Sequence, residues 1–212
     1  MKRYDVIRSA EPLPALTGRV FDPEREGFCR AVPCAPICEY PWDESGYRPR
    51  ACAWMTEDDA GFNVLLAAYE PSIRASATVW NGPVWLDSCL ECFLMPIEGN
   101  TRYMNVEVNA GGAALMGMGP GREGRALLPE PPEGWGLQVS RHEGGWWAVR
   151  YRISFALIEA LFGAAPQHGR PMRANFYCCD ESIHPHFGAW NPIAAPKPDF
   201  HRPECFGTLA RT

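Results

Sequence analysis

The 212-residue chain has no run approaching 18 apolar residues, no cluster of lysine and arginine, and no apolar stretch after its early basic residues. The first absence argues against a membrane-spanning helix. The second leaves no basic track to follow a phosphate backbone. With 25 acids against 20 bases and a formal net charge of -5, nucleic acid is not an expected partner. The third means that "MKRYDVIRSAEPLPALTG" does not read as a secretory leader, so a soluble, cytoplasmic chain with no membrane partner is expected. There is also no internal repeat, no low-complexity tract and no break in composition. One domain over 1–212, large enough to bury a sizeable core, follows.

Turn formers are abundant. Pro 21 and Gly 20 exceed what long helices tolerate and suit short strands joined by many turns. The nine cysteines, at 29, 34, 38, 52, 89, 92, 178, 179 and 205, are odd in number and sit in a long chain, so reduced thiols are expected rather than a disulfide framework. A reduced cysteine is also an ordinary small core residue.

Residues 1–47 alternate brief apolar and turn-forming pieces and read as a wrapping segment with a short edge strand or two. From 48 onward strand signals are dense: "RPRACAWM", "FNVLLAAYE", "SCLECFLMP", "RYMNVEVNA", "AALMGM", "WGLQVSR" and "WWAVRYRIS". The fold expected is all-β, an antiparallel two-sheet sandwich of the jelly-roll or immunoglobulin-like kind, with hairpin turns at "IEGN" (97–100) and "HEGG" (142–145). One helix is predicted over "SFALIEALFG", with Ser154 as N-cap and Gly163 as C-terminal stop. After "RANFYCCDES" a long Pro- and His-rich loop precedes a closing strand "CFGTLA".

Alternation along "WLDSCLECF" separates two faces. Leu86, Ser88, Leu90, Cys92 and Leu94 belong in a core, whereas Trp85, Asp87, Cys89, Glu91 and Phe93 place two acids among aromatics. Cys89 and Cys92 then point in opposite directions and cannot close on one metal or one disulfide. In the next strand Tyr103, Asn105, Glu107 and Asn109 form a polar row opposite Met104, Val106 and Val108. A hairpin through "IEGN" brings Trp85, Glu91, Glu107 and Asn109 to one surface. Tryptophan beside carboxylates and amides suits a sugar, whose C–H face stacks on a ring while its hydroxyls bond to Glu and Asn. The competing reading is that Trp85 is a core or rim residue and the acids solvate the sheet.

"PVWLDSCLECFLMP", "RYMNVEVNAGGAAL" and "RANFYCCDESIHPHFGAWNPIAAPKPDFHRPECFGTL" together resemble the family 9 carbohydrate-binding module-like proteins, a branch of the DOMON-like β-sandwiches, from about Pro33 to the C-terminus. The resemblance implies non-catalytic binding of a saccharide, typically a chain end, between two tryptophans. Trp85 matches one wall and Trp190 in "AWNP" is the candidate for the second; Glu91 and Glu107 match the acidic positions, with Asn109 close by. Family modules carry structural calcium, but no acid-rich calcium loop is present here, so no cofactor is expected.

Two other chemistries fit some of the same residues. Glu91 and Glu107 could be the carboxylate pair of a glycoside hydrolase. His184, His186 and His201, with Cys205, could hold a metal or a DOMON-type haem, although no spacing matches an established zinc pattern, and the histidines could instead order the loop. Arg202 could offer its planar fork to sugar hydroxyls or to Glu107, or pin the loop to the sheet. Asn175 and Tyr177 share one strand face that could extend the site.

Overall fold

The run "FNVLLAAYE" shows no polar alternation because both of its faces are covered. In the computed structural model, which describes residues 1–9, 13–142, 144–182 and 184–211, Val64, Leu66 and Ala68 enter the main core, while Leu65 and Ala67 meet a second apolar cluster on the other side. A strand buried on both faces has no solvated side to mark with polar residues.

The elements in chain order are β1 (Arg3–Arg8), α1 (Gly27–Ala31), β2 (Ala35–Ile37), β3 (Arg50–Glu57), β4 (Gly61–Glu70), β5 (Cys89–Met95), β6 (Tyr103–Asn109), β7 (Ala114–Gly119), β8 (Ala126–Leu127), β9 (Gln138–Ser140), β10 (Gly145–Ser154), α2 (Phe155–Phe162), β11 (Met172–Asp180), β12 (His186–Ala189) and β13 (Gly207–Arg211). The mostly-β expectation holds. In place of two separate antiparallel sheets there is one large mixed sheet, in the order β8-β7-β6-β5-β11-β13-β1-β3-β4-β10-β9, curled into a half-barrel. The joint is β1: Arg3–Val6 pair in parallel with β13, and Ile7 and Arg8 pair in parallel with β3. The N-terminal strand is therefore central, where the sequence suggests an edge. Its short apolar pattern does not reveal that it spans both halves.

The main core lies inside the curl, where Leu90, Cys92, Leu94, Val106 and Phe176 from one half join Val64, Leu66, Trp147 and Val149 from the other. Outside β3, β4 and β10 the segment 13–32 lays Leu16, Phe21, Phe28 and Val32 on Trp54, Leu65 and Ala148. Outside β5, β6 and β11, the C-terminal segment covers the other half of the sheet with Ile193, Phe200 and Phe206.

Local signals fare well. The Ser154 hydroxyl accepts the Leu157 N–H at 3.1 Å and Gly163 closes α2 at φ 80. In "IEGN" the Asn100 N–H donates to the Ile97 carbonyl, with Gly99 at φ 78. Glu143 of the "HEGG" turn lies outside the described residues; beside it the Gly145 N–H donates to the His142 carbonyl at 3.2 Å. The long C-terminal connection is shorter than expected, because β12 within it pairs with β11. No described helix is long and apolar enough to cross a membrane.

Candidate functional site

Glu91 and Glu107 are paired residues of the antiparallel β5–β6 ladder, both on the outer face and both almost fully buried. They form the floor of a cleft completed by Trp85, Arg122, Arg125, Cys179, Glu181, Phe187, Pro198, Asp199, Phe200 and His201. Its empty volume of about 550 Å³, mouth included, lies within the range of small-molecule sites.

Trp85 does not arrive on a strand. Residues 84–86 make a single 3-10 turn before β5, with Val84 plugged into the apolar layer beneath. This exposes Leu86, which strand alternation places in the core, and leaves Trp85 38% exposed at the cleft rim. The turn is tethered by Asp87, whose Oδ2 accepts from the Ser76 and Ala77 N–H groups at 2.8 and 2.9 Å and from Asn109 Nδ2 at 2.8 Å. Burial pushes the Asp87 carboxyl up, but these donors and Arg74 together hold it below its ordinary value.

The floor is electrostatically tense. Burial, then the neighbouring Glu107, drives Glu91 well above the usual carboxylate range, and its Oε1 accepts from the Cys179 thiol at 3.2 Å. Burial raises Glu107 to about 7, opposed by Arg125, whose Nη1 lies 3.4 Å from Oε1, and by the Asn105 amide at 2.9 Å. Burial and the neighbouring like charge thus both favour protonation of the pair. His201 is held down to about 3, first by burial and then by Arg125 and Arg122. Its Nε2 faces Arg125 Nη1 at 3.3 Å; the guanidinium can only donate, so Nδ1 carries the hydrogen and donates to the Tyr103 hydroxyl.

Arg122 and Arg125 are not marked by strand alternation. They come from "MGMGPGREGR", the β7–β8 turn. In the β6–β7 ladder Gly117 and Gly119 stand opposite Asn105 and Tyr103, and a Cβ on Gly119 would meet the Arg125 Cα at 2.6 Å. Alternate glycines on β7 thus open the space in which Arg125 lies over the sheet toward Glu107. Two arginines in a turn next to strand glycines that face a polar row are the signal that could have found them.

The remaining predicted site residues lie elsewhere. Trp190 does not face Trp85: it is 2% exposed in the main core, its ring 5.6 Å from Phe176 and 6.3 Å from Tyr4, and Gly207 leaves it room. The reason is register, since "AWNP" follows β12 and turns its indole inward; Phe187 and Phe200 supply the cleft's other aromatics. Asn109 is spent on structure, donating to Asp87 and the Ala77 carbonyl and accepting from the Gly111 and Ala113 N–H groups. Arg202 bonds Glu204 at 2.6 Å within its own loop. Asn175 brackets the Asn191 backbone, and the Tyr177 hydroxyl donates to the Phe200 carbonyl, so both pin the covering segment.

Cys89 and Cys92 do point apart, into the outer and inner clusters. The set His184, His186, His201 and Cys205 does not converge. His201 joins the cleft, and His186 lies beside Glu70 and Cys178. Two described groups could hold a metal, Glu70–Cys178–His186 and Cys89–Glu91–Cys179.

The model of carbohydrate-binding family 9 matches residues 28–211. No curated protein matches the chain. Among solved structures, a candidate carbohydrate-binding protein from Bacteroides uniformis is 26% identical with a TM-score of 0.77, over 100% of this chain and 99% of that one. A family 9 carbohydrate-binding module from Caldicellulosiruptor kristjanssonii, solved with glucose, is 15% identical with a TM-score of 0.66, over 100% and 96% of the two chains. The cellotriose complex of such a module from the same organism is also 15% identical, with a TM-score of 0.64 over 99% and 93%. The last two likenesses concern the fold.

Proposed function

The chain belongs to carbohydrate-binding family 9, and on that footing we propose that the cleft over Glu91 and Glu107 binds a saccharide without cleaving it. The observation that carries this reading is the buried carboxyl pair, with Arg125 beside it and Trp85 at the rim. A pyranose offers hydroxyls that both donate and accept. The carboxyl oxygens take the donated hydrogens, Arg122 and Arg125 give to hydroxyl oxygens, and the sugar's C–H face stacks on Trp85, with Phe187 or Phe200 as the opposing apolar surface. The glucose and cellotriose complexes of the structural neighbours make gluco-configured sugars the first ligands to try.

Hydrolysis is the weaker reading. A glycosidase needs its two carboxyls to flank the scissile bond. Glu91 and Glu107 rise from adjacent strands of one floor and approach a ligand from the same side. Titration of tryptophan fluorescence with glucose, cellobiose and cellotriose, alongside an assay for newly released reducing ends, tests both. Saturable quenching without product supports binding, and product formation that disappears in Glu91→Gln would replace it with catalysis.

A further inference from the structure

We propose that Glu70, Cys178 and His186 form a site for one divalent metal ion of the zinc class, on the inner face of the sheet and separate from the cleft. The three ligand atoms converge: Cys178 Sγ lies 3.4 Å from Glu70 Oε1 and 3.5 Å from His186 Nε2, and His186 Nε2 lies 3.5 Å from Glu70 Oε1. An ion about 2.3 Å from a thiolate and about 2.0 Å from an imidazole nitrogen and a carboxylate oxygen, at tetrahedral angles, spaces its ligands roughly 3.3–3.6 Å apart. The three side chains already have that spacing, without rearrangement.

The imidazole is oriented for coordination. His186 Nδ1 lies 2.7 Å from the His184 carbonyl, which can only accept, so Nδ1 carries the ring hydrogen. Nε2 is then the nitrogen that faces the Glu70 oxygen and the Cys178 sulfur, the one a metal would take, an arrangement typical of metal-bound histidine, whose second nitrogen is bonded to a carbonyl or carboxylate. The Cys178 thiol donates to Glu70 Oε1 across that 3.4 Å contact, and a divalent ion would take the place of this proton among the three buried side chains. Binding releases the Cys178 proton to solvent, and thiolate, carboxylate and neutral imidazole then leave the buried unit with no net charge. A fourth, open position accepts water.

Placement adds a consequence. Glu70 ends β4 in one half of the curled sheet, whereas Cys178 and His186 sit on β11 and β12 in the other. Metal binding ties the halves together. Cys178 faces away from the cleft that its neighbour Cys179 lines, so the site is distinct from the saccharide floor.

The test uses the full chain stripped with a chelator and titrated with Co²⁺ under reducing conditions. One equivalent of cobalt is expected to give a thiolate-to-cobalt charge-transfer band and intense tetrahedral visible bands. Zn²⁺ should displace it and raise the melting temperature by roughly 5–10 °C at a hundredfold excess over Kd. Cys178→Ser and His186→Gln should each abolish the band with far-UV circular dichroism unchanged, while Cys89→Ala keeps it. Should Cys178→Ser not fold, His186→Gln decides alone. Absence of the band in the unsubstituted protein, its survival in His186→Gln, or its loss in Cys89→Ala overturns the proposal.

Discussion

Glu91 and Glu107 stand directly opposite one another across the β5–β6 ladder, on the same face and out of solvent, and Arg125 reaches Glu107 at 3.4 Å. Burying two like charges side by side is unfavourable unless one is protonated or both are compensated.

The same pair makes stability depend on pH. Both carboxyls titrate higher in the folded protein than in the unfolded chain, so the folded state binds more protons and stability falls as pH rises from about 4.5 through about 7. His201, depressed to about 3, acts in the opposite sense below about 6.5. A difference measurement separates them. Relative to wild type, Glu107→Gln is expected to gain melting temperature between pH 5 and pH 8; a pH-independent difference would contradict the raised carboxyl pair.

Trp85 and Trp190 are expected to behave differently. Trp85→Ala removes a rim surface and should weaken saccharide binding roughly tenfold, with stability changed by less than about 1 kcal/mol. Trp190→Ala empties a core site and should cost about 3–5 kcal/mol in chemical denaturation. Equal affinity of the folded Trp85 variant and wild type would remove the stacking role.

Arg125 depends on the glycines beneath it. Arg125→Met should weaken binding about tenfold or more while keeping the stem's packing, because it removes the charged donor from the floor. Gly119→Ala drives a Cβ into the Arg125 backbone and the Gly124 carbonyl at 2.8 Å, and should cost about 1–3 kcal/mol in stability as well as affinity. Calorimetric titration of both variants checks this.

Asp87 is expected to be structural. Asp87→Ala takes the acceptor from two backbone N–H groups and from one hydrogen of the Asn109 amide, and should lower stability by about 2–4 kcal/mol. Affinity should fall only indirectly, through the loosened Trp85 turn. Denaturant midpoints, compared with binding measured well below the melting temperature, distinguish the two effects.

Much of the site is legible in the sequence, because strand alternation is a local property. It puts Glu91 and Glu107 on one face and parts Cys89 from Cys92, and the "IEGN" turn brings the two acids together. The same rule misplaces Leu86, since it presumes a strand where Val84–Leu86 is a turn. Arg125 escapes it because the link to Glu107 runs across β7, through two glycines that carry no side-chain signal of their own. Trp190 falls on the opposite side of the sheet from the one its motif suggests, a distinction that rests on how β12 docks on β11.

The amino-acid sequence by itself determined most of the strands from residue 48 onward, the caps of α2, the mostly-β character and the family, since these follow from short-range periodicity, turn chemistry and motifs in register. Only the tertiary structure decided that β1 joins the two halves into one mixed sheet, which tryptophan meets the cleft, and that Glu70 lies beside Cys178 and His186. Those facts depend on contacts between residues far apart in the chain, set by the curl of the whole sheet and the covering of its outer faces. No local pattern encodes them.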